Sequence, residues 1–251
     1  MARGLERETV AFSEVDSEQF GVRVARAHVE GKNLPQALEF CAAERINLLI
    51  ARCTTKELRV AQEMEGLGFL LMDTLVYYSF DLTKHAIPDD SSAAHVRKFT
   101  LDDKAQVESV AAAAFKGYLG HYHADSRLDP RKCDEGYVSW AVRSCTSKQV
   151  ATEVLVAERE KKIVGFLTLR LNRPKLNGPK EVEGVLFGVT PEAQGAGVGR
   201  SLMVEGLKWC KGQEAKRMII STQTTNVAVQ KVWCRVGFEP VRSLYTFHKW
   251  F

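Results

Sequence analysis

The chain has 251 residues, 45% of them hydrophobic and 26% charged, with a formal net charge of +4 at pH 7. This length supports one large domain or two small ones with true apolar cores, and so mild a basic excess gives no footing for nucleic-acid binding. No apolar run approaches the roughly 20 residues that span a bilayer, and the start Met1-Ala-Arg-Gly-Leu-Glu-Arg-Glu lacks an apolar signal core, so a cytoplasmic protein without a membrane partner is expected.

In chain order, apolar strand-like and helical stretches alternate, as in a mixed α/β fold. The connection Thr83-Lys-His-Ala-Ile-Pro-Asp-Asp-Ser-Ser-Ala93 is polar and carries Pro88, poor material for a helix or central strand. It divides the chain into a lobe at 8–82, a linker at 83–93 and a main domain at 94–251. Sliding the sequence along itself overlays Leu38 on Leu207, Cys41 on Cys210, Ile50 on Ile219, Thr55 on Thr224, Gly68 on Gly237 and Phe69 on Phe238. Both halves read helix, apolar strand, helix, Gly-Phe, strand, which points to two related units. Only the second has a glycine-rich loop before its first helix.

In the main domain His95-Val-Arg-Lys-Phe reads as a strand, followed by an alanine-dense helix over 101–116. Asp129-Pro130 is a good helix start, and Tyr137, Trp140, Ala141 and Cys145 recur at helical spacing as a packed stripe. Val154-Leu-Val-Ala-Glu and Ile163-Val-Gly-Phe-Leu-Thr-Leu form a hairpin, and Glu181–Val189 is the next strand. The six cysteines show neither zinc-site spacing nor a dense disulfide pattern and read as reduced, small apolar residues.

The chemistry concentrates in Val189-Thr-Pro-Glu-Ala-Gln194-Gly195-Ala196-Gly197-Val198-Gly199-Arg200. A strand ends, a turn follows, and three alternating glycines open a helix. Glycine lets backbone N–H groups converge, and a helix N-terminus adds unpaired N–H groups with partial positive charge. The product is a cradle for a pyrophosphate. A P-loop would end in Gly-Lys-Ser/Thr and a dinucleotide fingerprint would place a third glycine where Arg200 stands, so neither fits.

This loop resembles the GNAT superfamily motif Gln/Arg-x-x-Gly-x-Gly/Ala, through Gln194, Gly197 and Gly199. Asn226-Val-Ala-Val-Gln-Lys-Val-Trp-Cys-Arg-Val-Gly237-Phe238 resembles the family's second element, Asn-x-x-Ala-x-x-x-Tyr-x-x-x-Gly-Phe, with Val229 at the alanine. The resemblance implies a GNAT fold, a mixed and mostly antiparallel sheet flanked by helices, preceded by a smaller degenerate GNAT-like α/β lobe. It implies acetyl-CoA as co-substrate, its pyrophosphate on Gln194, Gly195, Ala196, Gly197, Val198, Gly199 and Arg200. The pantetheine arm would pair with backbone at Phe187, Gly188 and Val189 and with Asn226.

By the same resemblance, a neutral amine attacks the thioester, a backbone N–H near Val189 stabilises the oxyanion, and Glu183 takes the proton, with Glu181 in reserve. The family's thiolate-protonating tyrosine is replaced by Trp233, which leaves Tyr245 in the last strand as the expected general acid and Cys234 as a weaker one. Between the first two helices, His121, Tyr122, His123 and Asp125 form a polar, glycine-hinged segment expected to bind the acceptor. A metal site from His121, His123 and Cys133 has no diagnostic spacing, so none is expected. The layout resembles the dTDP-fucosamine acetyltransferases, whose N-terminal strand region is similar to the stretch from Glu14. This implies a dTDP-linked 4-amino-4,6-dideoxy sugar as acceptor. The alternatives are another small amine or a peptide amine, or a non-catalytic acyl-CoA-binding module; homodimerisation is left open.

Overall fold

A computed structural model describes residues 10–90, 93–172 and 178–251. The elements of the first half are β1 (Val10–Phe12), α1 (Glu14–Phe20), β2 (Val24–His28), α2 (Leu34–Ala43), β3 (Leu48–Thr54), α3 (Leu58–Gly66) and β4 (Leu70–Asp81). Then come β5 (His95–Lys98), α4 (Lys104–Phe115), α5 (Pro130–Thr146), β6 (Glu153–Arg159), β7 (Lys162–Asn172) and β8 (Glu181–Val189). The chain closes with α6 (Val198–Gly212), β9 (Arg217–Gln223), α7 (Val227–Val236) and β10 (Glu239–Trp250). No described helix is long and apolar enough to cross a membrane.

The chain forms two compact units that are interleaved in sequence. One comprises Met1–Val76, Leu119–Cys133 and Arg242–Phe251; the other comprises Tyr77–Tyr118 and Asp134–Val241. In the first unit β1 pairs antiparallel with β2, β2 parallel with β3, and β3 antiparallel with β10, in a register running from Leu48 opposite Trp250 to Thr54 opposite Leu244. Side chains alternate across this sheet. Ala25, Ala27, Leu49, Ala51, Cys53 and Phe247 face a core completed by Ala37, Cys41, Ala61 and Met64 of α2 and α3. Val24, Leu48 and Ile50 face the other way, onto Phe20, Leu128 and Cys133, with Tyr122 and Trp250 alongside. Thus the segment 119–133, expected to be a polar acceptor loop, covers one face of this sheet.

The stretch from Glu14, expected within a strand region, is instead a helix. The Ser13 hydroxyl accepts from the Asp16 N–H at its start, and Gly21, at φ 73°, ends it in the left-handed conformation. A local cap and stop of this kind decide the conformation of a seven-residue segment.

The second unit takes the end of β4, from Tyr77, and its strand order is β4-β9-β8-β7-β6-β5. Strands β5 to β8 are antiparallel and β8 and β9 are parallel. The β6–β7 hairpin turns on Glu160 and Lys161, both in the left-handed region at φ 49° and 62°. Helix α4 covers one face, where Gly188 lets Phe166 and Ala114 approach its α-carbon. Helix α6 covers the other, with Gly206 accommodating Leu167 and Gly165 accommodating Leu202. The internal overlay aligns β3 with β9 and β4 with β10, yet β3 pairs with β10 and β9 neighbours β4. The two halves have exchanged their final strands.

Candidate functional site: a glycine-opened helix beside a splayed strand pair

Strand β8 runs antiparallel to β7 until Thr168 and Leu169, where the register shifts so that Val185 is an extra residue between Gly184 and Leu186. A bulge bends its strand and increases the twist. On the other side β8 pairs with β9 only from Glu181–Arg217 to Gly184–Ile220. Beyond the bulge the two parallel strands separate into a wedge. The hydroxyl of Thr168 accepts the Leu186 N–H at 2.9 Å, and the Thr190 N–H bonds to the Val164 carbonyl at 2.9 Å. Alternation along an antiparallel strand then directs the N–H and C=O groups of Phe187 and Val189 away from β7, toward the wedge. The Gln194 side chain reaches back to the Val189 carbonyl at 3.2 Å.

After a short 3-10 turn at Pro191–Ala193, Gly195 (φ 76°) and Gly197 (φ 84°) take left-handed conformations and α6 begins at Val198. Gln194, Gly195 and Ala196 are exposed, Gly197, Gly199 and Arg200 are half-buried, and Val198 is buried as the anchor of the first turn. Beneath the turn lies the Phe187 ring; a Cβ on Gly199 would stand 3.1 Å from its Cζ. The Arg200 guanidinium donates to two backbone carbonyls, Asp89 O at 2.7 Å and Arg235 O at 3.4 Å. Its positive charge therefore stays available at the mouth of the cradle. Ser201 donates to the Asp90 carboxylate at 3.1 Å, a favourable place for an anion beside a helix N-terminus. Left-handed glycines, exposed turn N–H groups, a pinned guanidinium and an adjoining wedge fit a pyrophosphate with an extended arm.

Asn226 caps α7: its Oδ1 accepts from the Val229 N–H at 3.4 Å and its amide donates to Thr222 at 3.2 Å. Glu183, half-buried on β8, accepts from Arg170 directly across the strand pair at 2.5 Å, and Glu181 is paired with Arg217. Trp233 is 1% exposed and its indole N–H has no hydrogen-bond partner among the described residues. Its ring meets Tyr78 edge-on, centroids 5.5 Å apart. The Tyr78 hydroxyl donates to Gln230 at 3.0 Å, and the Gln230 amide donates to the carbonyls of Gln223 and Thr224, at the end of β9. Sequence reasoning missed Tyr78 because nothing local in β4 shows which sheet position it occupies.

The remaining expected residues lie in the first unit. Tyr245 packs against the core of that unit and meets the Phe247 ring at 6.2 Å, because β10 pairs with β3. His121 and Asp125 are each 4% exposed and are tied into one chain. Asp125 Oδ2 accepts from His248 Nδ1 at 2.7 Å and from Trp250 Nε1 at 2.8 Å, and His248 Nε2 meets His121 Nδ1 at 2.9 Å. Because the Asp125 carboxylate is an acceptor, His248 carries a proton on Nδ1. Burial, and then the neighbouring His248, Arg52, Arg26 and His123, hold the His121 pKa well below the ordinary histidine value, and its ring is neutral at pH 7. Tyr122 donates to Asp16 at 2.7 Å and receives a bond from Arg26. Burial opposes the Asp16 charge, but Arg26, Ser13 and Tyr122 outweigh it and hold the carboxyl far below the usual range. His123 is half-buried. The polar loop residues thus serve largely to fasten the loop to its own sheet. Among the described residues, no three His, Cys, Asp or Glu side chains are placed to hold a metal ion.

Residues 121–238 match the family model described as the acetyltransferase (GNAT) family. Curated relatives include the mycothiol acetyltransferase of Streptomyces coelicolor, 28% identical over 160 residues that cover 63% of this chain and 46% of that protein. The mycothiol acetyltransferase of Amycolatopsis mediterranei is 29% identical over 86 residues, 33% of this chain and 29% of that protein. The chain spans less than half the length of these relatives. Among solved structures, a GCN5-related N-acetyltransferase from Sphaerobacter thermophilus superposes on 96% of this chain and 76% of its own with a TM-score of 0.62 at 11% identity. A tandem GNAT protein from the clavulanic acid biosynthesis pathway covers 92% of this chain and 76% of its own, with a TM-score of 0.61 at 13% identity. The chain has the GNAT fold, and residues 121–238 are similar to the acetyltransferase (GNAT) family.

Proposed function

We propose that this chain transfers an acetyl group from acetyl-CoA to the amine of a small molecule. The observation that carries this reading is the coincidence, within one unit, of the glycine-opened α6 with the wedge between β8 and β9. The turn N–H groups and Arg200 bind the pyrophosphate, and the outward backbone groups of Phe187 and Val189 pair with the pantetheine arm. The Val189 N–H lies where it can donate to the carbonyl oxygen as negative charge develops, and Glu183 accepts the proton of the attacking amine.

For the acceptor, we favour a thiol-bearing small amine of the mycothiol class, because the curated relatives are named mycothiol acetyltransferases. The nucleotide-sugar acceptor expected from the sequence has no counterpart among the relatives, and two side chains assigned to it, His121 and Asp125, are spent on internal bonds. The test is mass-spectrometric detection of acetylated product from purified protein, acetyl-CoA and a panel of amines. Thiol-bearing amines of the mycothiol class, dTDP-4-amino sugars, simple amino sugars and peptides are its members. Product from the thiol-bearing amines alone supports the full reading. Product from another class alone keeps the transferase and replaces the acceptor. Acetyl-CoA binding without product from any amine would reject the transferase in favour of a binding module.

A further inference from the structure

An amine that takes the acyl group of a thioester releases a thiolate, and the helix that flanks the wedge carries Trp233 rather than an acid. The strand exchange supplies a different hydroxyl. Because β4 lies beside β9, Tyr78 comes to rest against one face of α7, where Gln230 lies one turn before Trp233 and Cys234. Its ring contacts Trp233, its hydroxyl bonds to Gln230, and Cys234 is its other polar neighbour. Gln230 in turn grips the carbonyls of Gln223 and Thr224, the β9 lip of the wedge. The phenol is thereby fixed, through one amide, to the edge along which the acyl donor enters. The geometry points to Tyr78 as the group that protonates the departing thiolate, a role that rests on the acetyl-transfer reading above.

The amine nitrogen forms a bond to the carbonyl carbon as the carbon–sulfur bond breaks, the sulfur takes the bonding pair, and the Tyr78 O–H proton passes to sulfur. The proton released from the amine nitrogen restores the phenol through solvent. Burial, and then the neighbouring Cys234, raise the Tyr78 pKa above that of a free phenol, so the proton is in place throughout the neutral range. Trp233 contributes the buried wall that holds the ring; at 1% exposure it fixes Tyr78 without competing for the proton.

The experiment compares the wild type with Tyr78→Phe and with Tyr78→Phe/Trp233→Tyr, which returns a hydroxyl to the same contact from α7. Three quantities are read: acetyl-CoA affinity by calorimetry, kcat and KM, and the thiol pKa of bound CoA from its thiolate absorbance against ligand-free protein. Tyr78→Phe should bind acetyl-CoA as the wild type does, lose on the order of 10²-fold in kcat with KM little changed, and raise the bound thiol's pKa. The double variant should recover part of both losses. Unchanged kcat and thiol pKa in Tyr78→Phe would overturn the assignment while leaving the transferase intact. A wild type that turns over no amine would overturn both readings together. A variant that no longer binds acetyl-CoA would mark Tyr78 as a structural support and overturn its proton-donor role.

Discussion

Gly197 has a left-handed backbone at φ 84°, and a Cβ placed on it would stand 2.9 Å from the Cβ of Ala93. A valine there costs roughly 1–2 kcal/mol in backbone strain and must also push the segment before β5 off the first turn of α6. Gly197→Val should therefore melt a few degrees below the wild type and lose acetyl-CoA binding by an order of magnitude or more, read by calorimetry; wild-type affinity would remove the cradle from the cofactor site. Gly195 makes a useful contrast, since its φ is 76° but its side-chain direction is open, so the penalty there is strain alone. Glu183 poses the other residue-scale question, because its carboxylate is already held by Arg170 across the strands. If it takes the amine proton, Glu183→Gln should lower kcat by about 10²-fold or more at neutral pH with acetyl-CoA binding preserved. A change in KM alone would make the Arg170–Glu183 pair a support of the strand register.

At the scale of elements, the fastening of residues 119–133 to β10 depends on a neutral His121. Its folded pKa is depressed below the unfolded value of about 6.5, so the unfolded chain binds a proton there that the folded chain refuses. This contribution is complete above about pH 6.5 and is lost as the pH falls below it. The loss approaches 1.4 kcal/mol per pH unit until the folded group itself titrates. Urea midpoints measured between pH 7.5 and 5 should drop accordingly, and His121→Asn should flatten that slope while lowering stability at every pH. An equal slope in the variant would shift the effect to other groups. The polar composition of this segment was legible in sequence, but its direction was not. His121 and Asp125 read as exposed ligands because nothing nearby in sequence shows the partners that bury them, His248 and Trp250 at the other end of the chain. The β8–turn–α6 unit was legible for the opposite reason. Its strand, glycines, cap and apolar stripe are contiguous, so local chemistry fixes its shape.

Across the whole molecule, the sequence shows two copies of a helix–strand–helix–strand pattern but not which last strand joins which copy. β4 and β10 align with each other in the internal overlay, and each has the length and alternation to fill either place. Pairing between strands so far apart in sequence leaves no local trace. The consequence is that a cut between residues 82 and 94 removes a strand from both units. A fragment of residues 94–251 lacks β4, which lies beside β9 in the second unit, and a fragment of residues 1–82 lacks β10, which pairs with β3 along seven positions. Each fragment would also expose a strand edge and the apolar side chains its partner covers, conditions that favour aggregation. Each fragment made alone should therefore be insoluble or lack a cooperative melt, whereas the two made together should reassociate. The intact chain should unfold in one transition, coincident by far-ultraviolet circular dichroism and tryptophan fluorescence, since neither unit keeps its full sheet once the other is lost. A 94–251 fragment that is soluble, monomeric and cooperatively folded would show that β10 can return beside β9 and that the exchange is a choice between near-equal pairings. Two separated transitions in the intact chain would count equally against mutual dependence, because each unit would then hold its borrowed strand alone.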